Sequence, residues 1–188
     1  DDEGKITRFL EKPSWGQVFS DTINTGIYIL EPEVLDLIPY QEEFDFSKDL
    51  FPLMLEKEMP LYGYIIDGYW KDVGNLNEYQ NAQYDSLKGN VKMDVNFEVE
   101  KNIIDPTAHI SKTAILQDNN VIGKNAKIGD NAKVINSVIG DHVEIGDGAL
   151  ISGSTLWKDV IVGKNAEIND DVICNGAQIG DYVTIAEN

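Results

Sequence analysis

Cysteine occurs once in this chain, at Cys174, so no internal disulfide can form, and a reducing compartment suits it. Basic residues are scarce: 15 Lys and Arg stand against 33 Asp and Glu, for a formal net charge of −18. Both parts of the chain share the deficit, −13 over residues 1–106 (9 basic, 22 acidic) and −5 over 107–188 (6 basic, 11 acidic). Binding to nucleic acid by neutralising phosphates is disfavoured by such a balance. No apolar run reaches membrane-spanning length and no signal-peptide pattern is present, so a cytoplasmic protein with no membrane partner is expected. Only two histidines, His109 and His142, are available for acid–base work.

What the chain does have is a repeat. From Thr107 onward an aliphatic residue recurs about every six positions: Ile110, Leu116, Ile122, Ile128, Val134, Ile139, Ile145, Ile151, then Trp157, Val162, Ile168, Cys174, Ile179 and Ile185. The step shortens to five before Ile139, Val162 and Ile179 in this register. Two residues ahead of most of them stands Ala or Val, as in Ala126, Ala132, Val143, Ala149 and Ala166. Side chains alternate along a strand, so each pair points to one side of a short extended segment. The following glycines (Gly123, Gly129, Gly140, Gly146, Gly163, Gly180) are expected to supply the positive φ of a tight corner. Three such units per turn close a triangular coil, and stacked coils pair as parallel strands, giving a parallel β-helix of between four and five coils. This segment resembles the hexapeptide-repeat proteins, whose coil is left-handed; that hand is what the resemblance implies, against the usual right-handed crossover. In this register Cys174 is an inward residue packing as a small hydrophobe, and Trp157 fills an aliphatic slot. The first methionine is Met54, and the chain stops just after the inward Ile185 with no capping segment, so a piece of a longer protein is expected.

The front of the chain alternates strand and helix signals. Lys5–Glu11, Thr22–Leu30 and Leu61–Asp67 read as strands, rich in β-branched and aromatic residues. Pro32 opens a short helix over Glu33–Ile38, Ser47 caps one over Lys48–Glu58, and Leu76–Lys88 is a third, stopped by Gly89. Residues 90–106 form an extended linker. Three strands are too few to close an α/β domain, so this front segment is expected to be half of one.

Three short motifs carry possible chemistry. Glu11-Lys12-Pro13 places a carboxylate and an ammonium side by side at a strand end. Asn24-Thr25-Gly26 interrupts an apolar strand with polar groups, and Trp70-Lys71-Asp72-Val73-Gly74 sets an aspartate in a strand-to-helix turn. Singly, each is also an ordinary structural device: a charged strand end, a satisfied buried amide, a turn former.

In this order, ahead of a hexapeptide β-helix, the motifs resemble those of the nucleoside-diphosphate-sugar pyrophosphorylases, the sugar-1-phosphate nucleotidyltransferases. The resemblance spans the chain. Residues 1–89 look like the C-terminal, sugar-binding half of a Rossmann-like α/β nucleotidyltransferase domain. Residues 90–106 look like its linker and 107–188 like the all-β left-handed β-helix that follows. Phe46-Ser47-Lys48-Asp49-Leu50-Phe51-Pro52 and Gly68-Tyr69-Trp70 are most similar to the mannose-1-phosphate guanylyltransferase branch of nucleotide-sugar biosynthesis.

The resemblance implies that Glu11 accepts hydrogen bonds from sugar hydroxyls, Lys12 contacts the sugar phosphate as a catalytic cation, Asn24 and Thr25 orient the sugar ring, and Asp72 ligates the catalytic Mg²⁺. It also implies an NTP and a sugar 1-phosphate as substrates. The family's glycine-rich nucleotide signature and its other metal-binding aspartate are absent from these residues, so the 188-residue chain alone is expected to be inactive. One rival reading is a hexapeptide-repeat acyltransferase, which needs a positioned histidine base and a loop inserted between hexads; the hexads are regular, with no long insertion. The other is a β-helix acting as an oligomerisation or regulatory module, its flat faces suiting homo-oligomers.

Overall fold

The three front strands expected from the sequence need neighbours, and how far they find them decides the shape of the first half. The computed structural model describes residues 3–9, 22–92 and 101–186. They divide into two compact units, Asp1–Trp70 and Lys71–Asn188.

Among the described residues of the first unit only one antiparallel bridge forms, between Lys5 and Tyr62, with Ile6 N–H donating to Leu61 O at 2.8 Å and Gly63 N–H to Gly4 O at 2.9 Å. Residues 22–30 are extended but belong to no ladder. The strand expected over Thr22–Leu30 is therefore corrected. A strand is a pairing, and the described residues offer this segment no partner, so Ile23 and Ile29 stand 68% and 100% exposed. The expected strand at Leu61–Asp67 shrinks to its bridge for the same reason; Glu11 and the end of the first expected strand lie outside the described residues.

The helical expectations fare better. Pro32–Leu37 is a 3₁₀ turn opened by its proline, and Val34 is buried. Phe46–Leu50 winds as one π-type turn into α1 (Phe51–Glu56), burying Leu50, Phe51 and Met54. The cap is Asp45 rather than Ser47: its carboxylate accepts from the N–H groups of Ser47 (2.8 Å) and Lys48 (2.9 Å), while Asp49 accepts from Asp45 N–H (2.8 Å). A carboxylate serves two orphan donors at once and outcompetes a hydroxyl there. Phe9, Tyr28 and Phe46 gather round Phe51 with ring centroids 5.0–6.0 Å apart, an aromatic core beside the helix.

The second unit begins with α2 (Leu76–Leu87), capped by the Asn75 side chain on Glu78 N–H at 2.9 Å and stopped at Gly89, whose φ is +78°. Then come five coils of three short strands. The first coil is β1 (Ile103–Ile104), β2 (His109–Ile110) and β3 (Ile115–Gln117); the second is β4 (Val121–Ile122), β5 (Lys127–Ile128) and β6 (Lys133–Ile135). The third is β7 (Val138–Ile139), β8 (Glu144–Ile145) and β9 (Leu150–Ser152). The fourth is β10 (Thr155–Leu156), β11 (Ile161–Val162) and β12 (Glu167–Asn169), and the fifth β13 (Val172–Ile173), β14 (Gln178–Ile179) and β15 (Thr184–Ala186). Every third strand pairs in parallel, making three five-stranded sheets. The five coils are complete, where between four and five were expected, because β1 lies within 90–106, ahead of the repeat as read from Thr107.

Two details of the repeat differ from the expected ones. Leu156 and Ile173, not Trp157 and Cys174, point inward: Leu156 is fully buried and pairs with Ile139 and Ile173, whereas Cys174 is exposed. The five-residue step therefore falls at the same corner on entry to each of the last three coils, before Ile139, Leu156 and Ile173. That corner is closed by side chains instead of Ala or Val. Asn120 Oδ1 accepts from Ser137 N–H at 2.9 Å, Ser137 Oγ from Ser154 N–H at 3.1 Å, and Ser154 Oγ from Asp171 N–H at 3.2 Å. A shortened corner leaves backbone donors without a ladder partner, and this polar column answers them.

The glycines also differ in role. Positive φ falls two residues after them, at Asn125 and His142 on one corner and at Asn131, Gly148, Asn165 and Tyr182 on another. The glycines are there for space: a Cβ on Gly146 would lie 2.8 Å from Gly163 C and Lys164 N in the next coil. The core of this unit is a column of fully buried residues, among them Ala132, Val134, Ile151, Leu156 and Ile168.

Candidate functional site

Glu11 and Lys12 lie outside the described residues. The other three residues singled out by motif fall into the two units, Asn24 and Thr25 in the first and Asp72 in the second.

Asn24 opens an Asx turn. Its Oδ1 accepts from Gly26 N–H at 3.0 Å, and Gly26 has φ +75°, which is why glycine ends the motif. The amide Nδ2 donates to Tyr28 OH at 2.7 Å and to Ser47 Oγ at 3.3 Å. Three of the four bonds open to this amide are thus used internally, leaving one Oδ1 lone pair and the two hydroxyls free for a polyol. Thr25 is half-buried beside it. The sequence reading missed Tyr28 and Ser47. The i+4 spacing of Asn24 and Tyr28 was a signal for the first; the second is joined only by the fold.

Asp72 is exposed and, among the described residues, makes no hydrogen bond or ion pair. Its neighbour Lys71 turns onto α2, with Nζ 3.2 Å from Glu78 Oε2 and 3.3 Å from Asp85 Oδ2. An uncommitted hard oxygen donor of this kind fits Mg²⁺, which takes one or two carboxylates and completes its shell from water and substrate phosphates. Among the described residues no group of three or more His, Cys, Asp and Glu is placed to hold a metal, so Asp72 would be one protein ligand of a shared shell.

His109 faces outward on β2 with Nδ1 2.8 Å from Thr107 O, and His142 sits at a positive-φ corner with Nδ1 3.1 Å from Asp159 Oδ1. The Lys164 ammonium, 2.9 Å away, and the Asp130 N–H hold the Asp147 carboxyl below its usual range, and Asp147 in turn raises Lys164. The Thr107 hydroxyl and N–H lower Asp105. Burial, then the nearby Asp170, raises the Tyr84 phenol.

A regular triangular prism defines a solenoid domain, and helical and extended segments that carry the motifs precede it in the chain. A profile for the family described as nucleotidyl transferase matches residues 1–89, and one described as EIF2B subunit epsilon LbH domain matches residues 89–188. The chain belongs to that LbH-domain family: it is a left-handed parallel β-helix of hexapeptide repeats following a Rossmann-like nucleotidyltransferase portion. Its curated relatives include the UTP--glucose-1-phosphate uridylyltransferase of Synechocystis, 44% identical over 92 residues (49% of this chain, 24% of the relative). The mannose-1-phosphate guanylyltransferase of Mycobacterium tuberculosis is 30% identical over 129 residues (68% and 35%). The glucose-1-phosphate adenylyltransferase of Desulfitobacterium hafniense is 34% identical over 106 residues (53% and 26%). The chain is thus related to sugar-1-phosphate nucleotidyltransferases and spans between a quarter and about a third of the length of these relatives. No helix among the described residues is long and apolar enough to cross a membrane.

Proposed function

We propose that this chain is the sugar-binding half (1–89), a linker, and a β-helix that begins at β1 (Ile103–Ile104), of a sugar-1-phosphate nucleotidyltransferase acting in the cytoplasm. The observation that supports it most is Asp72, an exposed carboxylate without a partner among the described residues while the adjacent lysine is occupied by two acids on α2. In the reaction, an oxygen of the sugar 1-phosphate attacks the α-phosphorus of an NTP; a P–O bond forms to the sugar phosphate and the bond to the leaving pyrophosphate breaks. Mg²⁺ held in part by Asp72 would neutralise the phosphates as charge builds on pyrophosphate.

The residues of this chain position the sugar side. Lys12 supplies a point charge to the sugar phosphate, which a chain of net charge −18 otherwise repels. Glu11 accepts from ring hydroxyls. Asn24 holds Tyr28 and Ser47 at fixed distances, so the turn presents a ready array of donors and acceptors to the sugar with Thr25 alongside.

The finer reading is GDP-mannose formation. The Phe46–Pro52 segment supports it, since its π-type turn carries the Ser47 that Asn24 engages. Pyrophosphate release by the longer polypeptide that completes the domain, measured across NTPs and sugar 1-phosphates, tests it. Turnover is expected to be highest with GTP and mannose 1-phosphate; a preference for another pair rejects the finer reading, and no turnover with any pair rejects the coarser one.

A further inference from the structure

Asp72 stands in a short loop with both ends tied down. At one end Lys71, 23% exposed, spans Glu78 and Asp85, which lie seven residues and therefore two turns apart on one side of α2. At the other, Asn75 caps the same helix. Position 72 is thus held by its neighbours, while its own carboxylate remains uncommitted.

The opposite side of α2 is fixed to the prism. Gln80, only 8% exposed, donates through Nε2 to Gly153 O at 3.1 Å and to Asp171 O at 3.4 Å. These two carbonyls lie at the same corner of successive coils, so one buried amide clasps both. Thr155 Oγ1 donates to Gln83 Oε1 at 2.8 Å, and Tyr79 meets Trp157 edge-on with centroids 6.3 Å apart. The face of α2 that carries Tyr79, Gln80 and Gln83 also carries the buried Leu87, and its directional bonds add to apolar burial by fixing rotation and height on β10.

We infer that Lys71, Gln80 and Gln83 are positioning residues: they form a latch through which the β-helix sets the location of the Asp72 carboxylate. Lys71 does two things in it. Its ammonium ties residue 71 to the helix, and its pairing with Glu78 and Asp85 keeps that charge from competing for the carboxylate next to it. The consequence for the metal rests on the reading of Asp72 proposed above; the latch itself does not.

Two measurements separate the two. In hydrogen–deuterium exchange of the 188-residue chain, amides of residues 71–76 and of α2 should exchange about tenfold faster in Lys71→Met and in Gln83→Ala, with β5–β12 unchanged. Lys71→Arg should keep the wild-type pattern. Unchanged exchange in both Lys71→Met and Gln83→Ala overturns the latch, as does faster exchange that spreads through the β-helix. In the longer polypeptide, Lys71→Met should raise the Mg²⁺ concentration for half-maximal pyrophosphate release about tenfold. Turnover at saturating Mg²⁺ should stay close to wild type, and a general loss of structure would lower it instead. An unmoved Mg²⁺ requirement with faster exchange overturns the coupling to the carboxylate. Full activity of Asp72→Ala would overturn the metal reading while leaving the exchange result intact.

Discussion

Single side chains here are informative where their polar atoms go unanswered. The Tyr84 hydroxyl is buried with no hydrogen-bond partner, and burial and the Asp170 charge raise its phenol. A buried hydroxyl without a partner costs more than it returns, so Tyr84→Phe should be neutral or stabilising by up to about 1 kcal/mol in thermal or urea unfolding. The sign of the pH effect follows from the raised folded value. Stability tied to the protonated phenol is whole below its ordinary value of about 10 and is lost as the pH rises through the folded one. Wild type should therefore weaken on the alkaline side where Tyr84→Phe does not; an identical alkaline profile in both would reject this. At this scale the sequence singled out Asn24 and Asp72 as candidates, by motif. Tyr28 and Ser47 were not, because their partnership with Asn24 is made by chain segments that meet only after folding.

Among the elements, the hexad periodicity was readable because burial forces an aliphatic residue inward in every coil. The phase was not. Trp157 and Cys174 are hydrophobic and adjacent to the true inward residues, so hydropathy alone fits either register, and the polar column through Asn120, Ser137 and Ser154 is what marks the short corner. The register makes a direct prediction. Leu156→Ala should cost about 2–5 kcal/mol as a core cavity, whereas Cys174→Ser, at an exposed site, should stay within about 0.5 kcal/mol. Equal costs from denaturant titrations would restore the other phase. Gly146→Ala should also destabilise, since its Cβ would press on the backbone of the next coil at 2.8 Å. The front strands failed as elements for a different physical reason: β propensity describes a segment suited to a sheet, and pairing needs neighbours that the described residues do not supply.

For the whole molecule, the β-helix leaves two of its sheets with mixed outer faces, where Ile115 and Ile161 are exposed beside Lys127, Glu144 and Glu167. Flat parallel faces of this sort suit closed homo-oligomers, and light scattering on the chain should give a mass that is a multiple of 21.0 kDa. A strict monomer at micromolar concentration would count against the β-helix as an assembly module. The two-part plan was visible in the sequence because repeat and motifs occupy separate stretches. The tie between Lys71, α2 and the prism was not, since it depends on helix faces meeting a sheet that is distant in the chain.

The central claim is that Asp72 serves a metal-dependent nucleotidyl transfer, and the most direct measurement is pyrophosphate release by the longer polypeptide with Asp72 intact and with Asp72→Ala, titrated with Mg²⁺. Because a ligand matters more than the outer partners, worth about ten- to a hundredfold, the variant should lose at least about a hundredfold in turnover and not recover at high Mg²⁺. Wild-type turnover in Asp72→Ala, with an unchanged Mg²⁺ dependence, would contradict the account.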